Sequence, residues 1–446
     1  MAQKMNSEKM KRNRAVVAGG SIAGMLAARV LSEFFNEVLV IEKDKSAELG
    51  MNRKGVPQSV HGHVLLKSGE EILEEFFPGI IEELSEKGAK KSDFAGDLVW
   101  SHHGSEKIRF ASNVFISQQS RPLLERQILM RLEKMSNIHF RFGCKVKSLL
   151  INRNEIDRVV FEDEEGLIIE LPADLIIDAS GAAALHNQWL RESGYQTPSK
   201  TEVKVDLFYG SMVYKGFSSG STDWHSLLAY PNPPETNRGG TISPIEGNRM
   251  LVTLIGYGTK DVPNDADSFM RYAKTLEHPD LYEVIKNELP YSQKVEVYRF
   301  PALRRYHIEK LKDFPSGLLV MGDAICRIDP VFAQGMSLAA MEAKALKELL
   351  MKETTKKQLT KSYHKKVGNI LQIPWLIALT EDFRFRTTKG RKPIGLSMLQ
   401  WFVKKVVAAS THNEDVYTQF IQVLHLKKHP IYLARPDILA KVFKNS

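Results

Sequence analysis

The chain has 446 residues, 43% hydrophobic and 26% charged, with a net charge of +9. This balance excludes a disordered or collagen-like protein, and at roughly 100–200 residues per domain the length accommodates two or three domains. Two cysteines, Cys144 and Cys326, exclude a disulfide scaffold and stand at no metal-ligand spacing.

No apolar run reaches about 18 residues, so no membrane span is predicted. The basic stretch Met1–Arg14 lacks an apolar segment, and the chain is therefore expected to be cytoplasmic, without a signal peptide. In chain order, Ala15-Val16-Val17-Ala18 predicts a strand, Gly19-Gly20-Ser21-Ile22-Ala23-Gly24 a turn, Met25–Phe34 a helix, and Val38-Leu39-Val40-Ile41 a second strand ending at Glu42. Unbroken apolar strands of this kind belong to a parallel sheet covered on both faces.

The turn has the form of a dinucleotide fingerprint. Gly19 permits the tight bend and Gly24 lets the helix pack close to the sheet. The helix N-terminus then offers unsatisfied N–H groups and a positive dipole end to a pyrophosphate. Glu42 stands at the separation expected for a ribose hydroxyl contact. Ser21 replaces the middle glycine; its Cβ crowds the phosphates, although its hydroxyl could donate to one.

Further on, His61 and His63 would share one face of a strand, but no third ligand completes a metal site, and none is expected. His102-His103 reads as structural or exposed, and both cysteines as small buried residues rather than nucleophiles. From about Glu202 to Phe300, alternating segments separated by clusters such as Pro231–Pro234 and Arg238-Gly239-Gly240 predict a largely antiparallel sheet. Leu318–Met321 is an apolar strand running into Gly322-Asp323-Ala324. Asp329-Pro330, Gln334-Gly335-Met336 and a long helix, Ser337–Leu350, follow.

The remainder is mostly helical, broken at Pro374, Pro393, Pro430 and Pro436. Residues 351–446 hold 18 Lys and Arg against 6 Asp and Glu, leaving the rest slightly acidic. Such a segment suits a solvated face, nucleic acid or an anionic membrane. No nucleic-acid recognition module is present, so no nucleic-acid partner is expected. Trp401-Phe402-Val403-Lys404-Lys405-Val406-Val407 reads as an amphipathic helix, packed into the core on the first reading and lying at a membrane surface on the second.

The second motif resembles the FAD-dependent monooxygenases of the para-hydroxybenzoate hydroxylase fold. The resemblance covers most of the chain. Arg53-Lys54-Gly55-Val56-Pro57-Gln58 with His61 and His63, Ser120–Glu125, Arg238-Gly239-Gly240, Pro244–Gly247, Leu303–Tyr306 and Glu381-Asp382-Phe383-Arg384 look like bacterial FAD-dependent epoxidases of polyether biosynthesis. Squalene epoxidases are more distant. The resemblance implies FAD, with NAD(P)H as electron donor and O2 and an apolar small molecule as substrates. Gly322 and Asp323 would close the FAD site, Asp323 on the ribityl chain, with Pro330, Gln334, Gly335 and Met336 beside the ring. Lys43, Arg53, Arg121 and Val146 are implied as further FAD contacts. Ala333 stands where the family often has glycine, and Ala173–Gly181 ends in Ser180-Gly181 where Asp-Gly is common, which weakens direct reduction by NAD(P)H.

The expected fold is α/β. A Rossmann-like FAD-binding domain would be assembled from residues 12–80, 110–190 and 298–350. A mainly antiparallel substrate domain would span 194–297 with about 81–109, and a helical region 351–446. The expected function is oxygen insertion through a flavin C4a-hydroperoxide, as epoxidation or hydroxylation of a polyketide, isoprenoid or aromatic secondary metabolite. No base or other catalytic residue can be named, which tilts the reading towards an alkene. No Trp-x-Trp motif marks a halogenase. Two alternatives share the fold, an FAD-dependent reductase of the geranylgeranyl-reductase type and a non-catalytic lipid-handling protein.

Overall fold

The computed structural model describes residues 12–45, 57–216, 222–352 and 355–444. Five parallel strands form one sheet, in the order Leu318–Val320, Leu175–Asp178, Arg12–Ala18, Phe35–Ile41 and Ile138–Arg141. Its central strands are apolar on both faces because both are covered. Val17 and Val40 look towards the helices Ile22–Leu31 and Gly335–Leu350, while Val16, Leu39 and Ile41 face a second core beneath the antiparallel strands Lys145–Asn152 and Glu155–Glu162.

The second large sheet has eight strands, in the order Cys326–Arg327, Glu296–Tyr306, Lys200–Lys215, Arg249–Tyr257, Arg238–Ile245, Ser226–Ala229, Leu98–His102 and Ser105–Glu106. It is antiparallel except where Ser226–Ala229 pairs with Leu98–His102. Alternation sorts its faces. Leu207, Tyr209 and Tyr257 point into the core shared with the parallel sheet. Phe208, Met212 and Tyr214 point outward, under the helices Ala266–Ala273 and Asp280–Ile285. Glu296–Tyr306, expected from residue 298 onwards to belong with the nucleotide-binding strands, pairs along Lys200–Lys215 instead.

Arg238-Gly239-Gly240, expected to separate strands, begins one. Here the glycines serve close approach, since a Cβ on Gly239 would lie 2.5 Å from the Ala229 carbonyl oxygen and one on Gly240 2.6 Å from Leu281 Cδ1. The C-terminal helices Leu396–Ala409, Glu414–Leu424 and Pro436–Phe443 close over a fourth core with Trp100 and Val114. No helix among the described residues is long and apolar enough to cross a membrane.

Candidate functional site

The first turn behaves as its glycines require. Gly19 has φ +113° and sits against Ala179, whose carbonyl oxygen would lie 2.4 Å from an added Cβ. A Cβ on Gly24 would lie 1.8 Å from the Gly19 oxygen, so helix and strand pack backbone to backbone. No side chain caps the N-terminus of Ile22–Leu31, and its first turn carries no acid, which leaves its N–H groups and dipole for an anion.

Ser21 is turned away from that task. Its hydroxyl donates to Glu125 Oε1 at 2.8 Å and accepts from Arg121 Nη2 at 3.0 Å. Glu42 is buried at the strand end, with Oε2 accepting the Gly20 N–H at 2.6 Å and Oε1 the Asp44 N–H at 2.9 Å. Lys43 is exposed beside it, and Val146 is buried in the core that Leu39 and Ile41 share. Arg53 lies outside the described residues.

The second turn meets the first. Gly322 has φ +66°, and a Cβ there would lie 2.8 Å from the Ala23 Cβ. Its N–H donates to Glu342 Oε2 at 2.6 Å. Burial pushes the Glu342 carboxyl up to about 8, so it is largely protonated at neutral pH. Asp323 is raised by burial, against the opposing pull of Arg327, Arg121 and Arg304. Pro330 opens a short 3-10 turn capped by Asp329, whose Oδ1 accepts the Val331 N–H at 2.8 Å. Ala333 takes the left-handed conformation, φ +54°, that glycine adopts freely. Gln334 follows, buried, its Oε1 without a protein partner, and Gly335 and Met336 begin the helix Gly335–Leu350.

Between the two turns lies the third strand end. Met321 N–H donates to the Asp178 oxygen, and Ala179 abuts Gly19. Asp178 is structural. Burial alone would raise its carboxyl, but the His186 ring at 2.8 Å, with the Ser180 and His186 N–H groups, holds it low. Arg305 is structural too, donating to the Gly368 oxygen at 2.8 Å, whereas Arg304 donates to the Ala182 oxygen at 3.1 Å and its charge favours an ionised Asp323. Cys326 is buried, and burial pushes its thiol well up, as expected of an inert residue.

The eight-stranded sheet roofs this space. Ser211 and Thr253 stand opposite each other on adjacent strands, and their hydroxyls are 2.7 Å apart. Gly62 N–H donates to Thr253 Oγ1 at 3.1 Å, and Ser211 Oγ lies 2.8 Å from His61 Nδ1. Run from Thr253 through Ser211 to Nδ1, this chain leaves the His61 hydrogen on Nε2, which is buried and has no protein partner; run the other way, it leaves the Thr253 hydroxyl hydrogen without an acceptor among these groups. Burial lowers its pKa to about 4, so it is neutral.

His61 packs against Tyr209 and Tyr298, and Tyr298 bonds to Arg327, which faces Asp323. His63 reaches the first turn through Arg121 Nη1 at 3.2 Å. The His61–Gly62–His63 segment thus connects to both turns.

One further group was not legible in the sequence. Tyr257 O–H donates to Asp329 Oδ2 at 2.8 Å, and Asp382, wholly buried, lies beside Asp329. Burial raises both carboxyls, and the charge of Asp329 raises Asp382 further. Burial and these carboxylates also raise Tyr230 and Tyr257, which stay protonated.

Beside them Glu381 Oε2 lies 3.1 Å from His103 Nε2 and 3.7 Å from His102 Nε2. Their ligand atoms cluster closely enough for a metal. Arg384 Nε, however, lies 3.1 Å from both Glu381 oxygens, and Lys107 is close enough to act on the same carboxylate. Glu381 is already paired with Arg384, and we read the group as an ion pair with histidines beside it. Asp329-Pro330 and Glu381-Asp382 both stand out as motifs, but nothing local in the sequence says that they meet.

The glycine cradle, the uncapped helix end, the partly open Asp323 and the partnerless Gln334 and His61 atoms fit a flavin dinucleotide. Residues 12–372 match the family described as FAD binding domain. Protein Rv3254 of Mycobacterium tuberculosis (strain ATCC 25618 / H37Rv) is 28% identical over 361 residues, 76% of this chain and 73% of its own length. Kynurenine 3-monooxygenase of Legionella pneumophila (strain Corby) is 26% identical over 248 residues, 53% of this chain and only 51% of that enzyme. Among solved structures, a flavoprotein/dehydrogenase from Cytophaga hutchinsonii superposes with a TM-score of 0.68 at 16% identity, covering 96% of each chain. At that identity the likeness concerns the fold.

Proposed function

The chain belongs to the FAD binding domain family and is an FAD-dependent oxidoreductase, and from that premise we propose that it is a monooxygenase placing one oxygen atom from O2 into an apolar organic substrate. We take NAD(P)H as the electron donor. What carries the reading is the meeting of Ala23 and Gly322 beneath a sheet face lined by Tyr209 and Tyr257. The likeness to a kynurenine 3-monooxygenase supports it over about half of that enzyme's length.

The flavin, when bound, supplies the redox chemistry and the activation of O2. The chain's own residues hold and enclose it. The N–H groups of the Gly19–Gly24 turn would take the pyrophosphate, Glu42 the ribose and Asp323 the ribityl chain, with Gln334, Gly335 and Met336 beside the ring. Tyr209 and Tyr257, buried in the sheet face, exclude water. The buried Asp329 and Asp382 carboxyls, both raised by burial, are candidates to take a proton from a substrate hydroxyl or amine, which weakens the argument for an alkene from the lack of a base. Hydroxylation of a phenol or aniline stands beside epoxidation.

The test uses the FAD-loaded protein with NADPH or NADH, 18O2 and a panel of apolar alkenes and phenols. One 18O atom per product, with O2 consumed in step, is expected. Product formed without O2 would overturn the reading in favour of the reductase. The non-catalytic alternative is set aside by the family match.

A further inference from the structure

The helix Leu396–Ala409 has two unlike sides. Leu396, Val406, Val407 and Ala409 are buried. Met398, Trp401 and Lys405 follow at three- and four-residue steps on the opposite side, and Ile394 lies just ahead of the helix. Ile394 is wholly exposed, Met398 is 73% exposed and Trp401 53%. Phe443, from the helix Pro436–Phe443, is itself exposed and stacks on Trp401 with ring centroids 5.8 Å apart. The expectation that this segment packs into the core holds for Phe402, Val403, Val406 and Val407, while Trp401 and Lys404 stand in water. Four large apolar side chains gathered in water mark a binding surface.

The surrounding charge is mainly positive. Arg391, Lys392, Lys404 and Lys444 are exposed and Lys405 is half-buried. Lys392 donates only to the Gln400 amide oxygen, at 3.4 Å. Among the described residues, no carboxylate pairs with Arg391, Lys404, Lys405 or Lys444. Of the acids nearby in sequence, Asp437 is engaged by Arg435 and Asp415 by Lys441, and Glu414 is exposed.

This combination selects its occupant. A two-fold dimer through the patch would set the same cations against themselves. An anionic bilayer offers a plane of negative headgroups to the Lys and Arg side chains and, just below it, an interfacial zone that Trp favours and Met and Ile can enter. We propose that this edge, Ile394, Met398, Trp401 and Phe443 within a ring of cations, docks the protein onto an anionic lipid surface without crossing it.

The edge is also tied to the site described above. Arg384 Nη2 donates to the Gln400 oxygen at 2.7 Å, Gln400 Nε2 donates to the Thr380 oxygen at 2.8 Å, and Arg384 holds Glu381. The proposal stands apart from the monooxygenase reading, and its test needs no turnover.

The FAD-loaded full chain is sedimented with vesicles of phosphatidylcholine alone or of phosphatidylcholine with phosphatidylglycerol. The parent is expected to bind the anionic vesicles, to bind neutral ones weakly and to be released by salt. Ile394→Ser/Met398→Ser/Trp401→Ser and, separately, Lys404→Glu/Lys405→Glu should each lower partitioning about tenfold, with the circular dichroism spectrum unchanged because most of the replaced side chains face water. Trp401→Phe keeps the apolar bulk and should bind like the parent. A parent that ignores anionic vesicles, or variants that bind as the parent does, would sink the proposal. A concentration-dependent dimer abolished by the triple serine variant would instead assign the patch to a second copy.

Discussion

The two nucleotide turns and the sheet face above them border the same space but are built by opposite rules. The turns are backbone structures. Gly19, Gly24 and Gly322 matter for the atoms they lack, and each contact is made within a few residues of a strand end. The sheet face and its far wall are side-chain structures, in which Ser211 meets His61, Tyr257 meets Asp329, and Asp329 meets Asp382 across long stretches of chain. Chemistry written into local backbone shape is specified by neighbours in sequence. Chemistry written into buried polar pairs is specified only once the sheet has formed, and it then depends on every member being satisfied.

The largest expected effect breaks the first rule. Gly24→Val would set a side chain where even a Cβ lies 1.8 Å from the Gly19 oxygen. Overpacking against a backbone atom should cost roughly 3 kcal/mol or more and remove FAD binding together with stability. Thermal unfolding and flavin retention measure both. Gly181→Ala is the contrast. It also has positive φ, +65°, but nothing lies within 4 Å of its Cβ, so only conformational strain of about 1 kcal/mol is expected. Equal losses in the two variants would mean that close packing is not what Gly24 provides.

The next effect joins the two regions. Glu342 supports the Gly322 turn from within the core, with a carboxyl raised to about 8. The folded chain keeps a proton there that the unfolded chain releases above about 4.5. Stability from this group is therefore lost as pH rises from about 4.5 to 8, and the loss is complete above that. Glu342→Gln keeps an oxygen for the Gly322 N–H and removes the titration. The variant should gain on the parent steadily across that window, by on the order of a few kcal/mol at pH 8. Denaturant midpoints at pH 5 and pH 8.5 decide it, and parallel pH curves for parent and variant would refute a protonated Glu342.

Asp323→Ala tests the second turn alone. Losing a ribityl hydrogen bond should weaken FAD binding by about 1 kcal/mol if neutral and about 2–3 kcal/mol if charge-assisted, measured by flavin titration of the stripped protein. Unchanged affinity would remove Asp323 from the site.

Legibility follows the same division. Strand, turn, helix and strand from Ala15 to Glu42 could be read because apolar runs, glycines and an acid stand at fixed offsets, and Gly24 packs as its position demands. The parallel sheet and the mainly antiparallel one followed from unbroken against alternating apolar patterns. Ser21 was misleading. Its hydroxyl serves Glu125 and Arg121, more than a hundred and one hundred residues away, which no local pattern announces. Arg238-Gly239-Gly240 read as a separator because glycine marks a turn and a close approach equally well. The Asp329–Asp382 pair was invisible for the physical reason that each aspartate alone resembles a solvated one, and only folding buries the two side by side.

The smallest expected effect is also the sharpest test of the second rule. If the hydroxyl chain runs from Thr253 through Ser211 to His61, His61 is one tautomer, with hydrogen on Nε2. Its pKa of about 4 keeps it neutral across pH 6 to 8, so the tautomer does not depend on pH there. Nitrogen-15 spectra of histidine-labelled protein, with His61 assigned by its absence in His61→Asn, should show an Nε2-protonated ring. Ser211→Ala removes the donor to Nδ1 and should cost only about 1 kcal/mol of stability, yet leave the ring free to exchange between tautomers. A parent ring protonated on Nδ1, or one already mixed, would mean that the hydroxyl chain carries no direction and that His61 offers a lone pair, not a hydrogen, to whatever lies beneath the sheet.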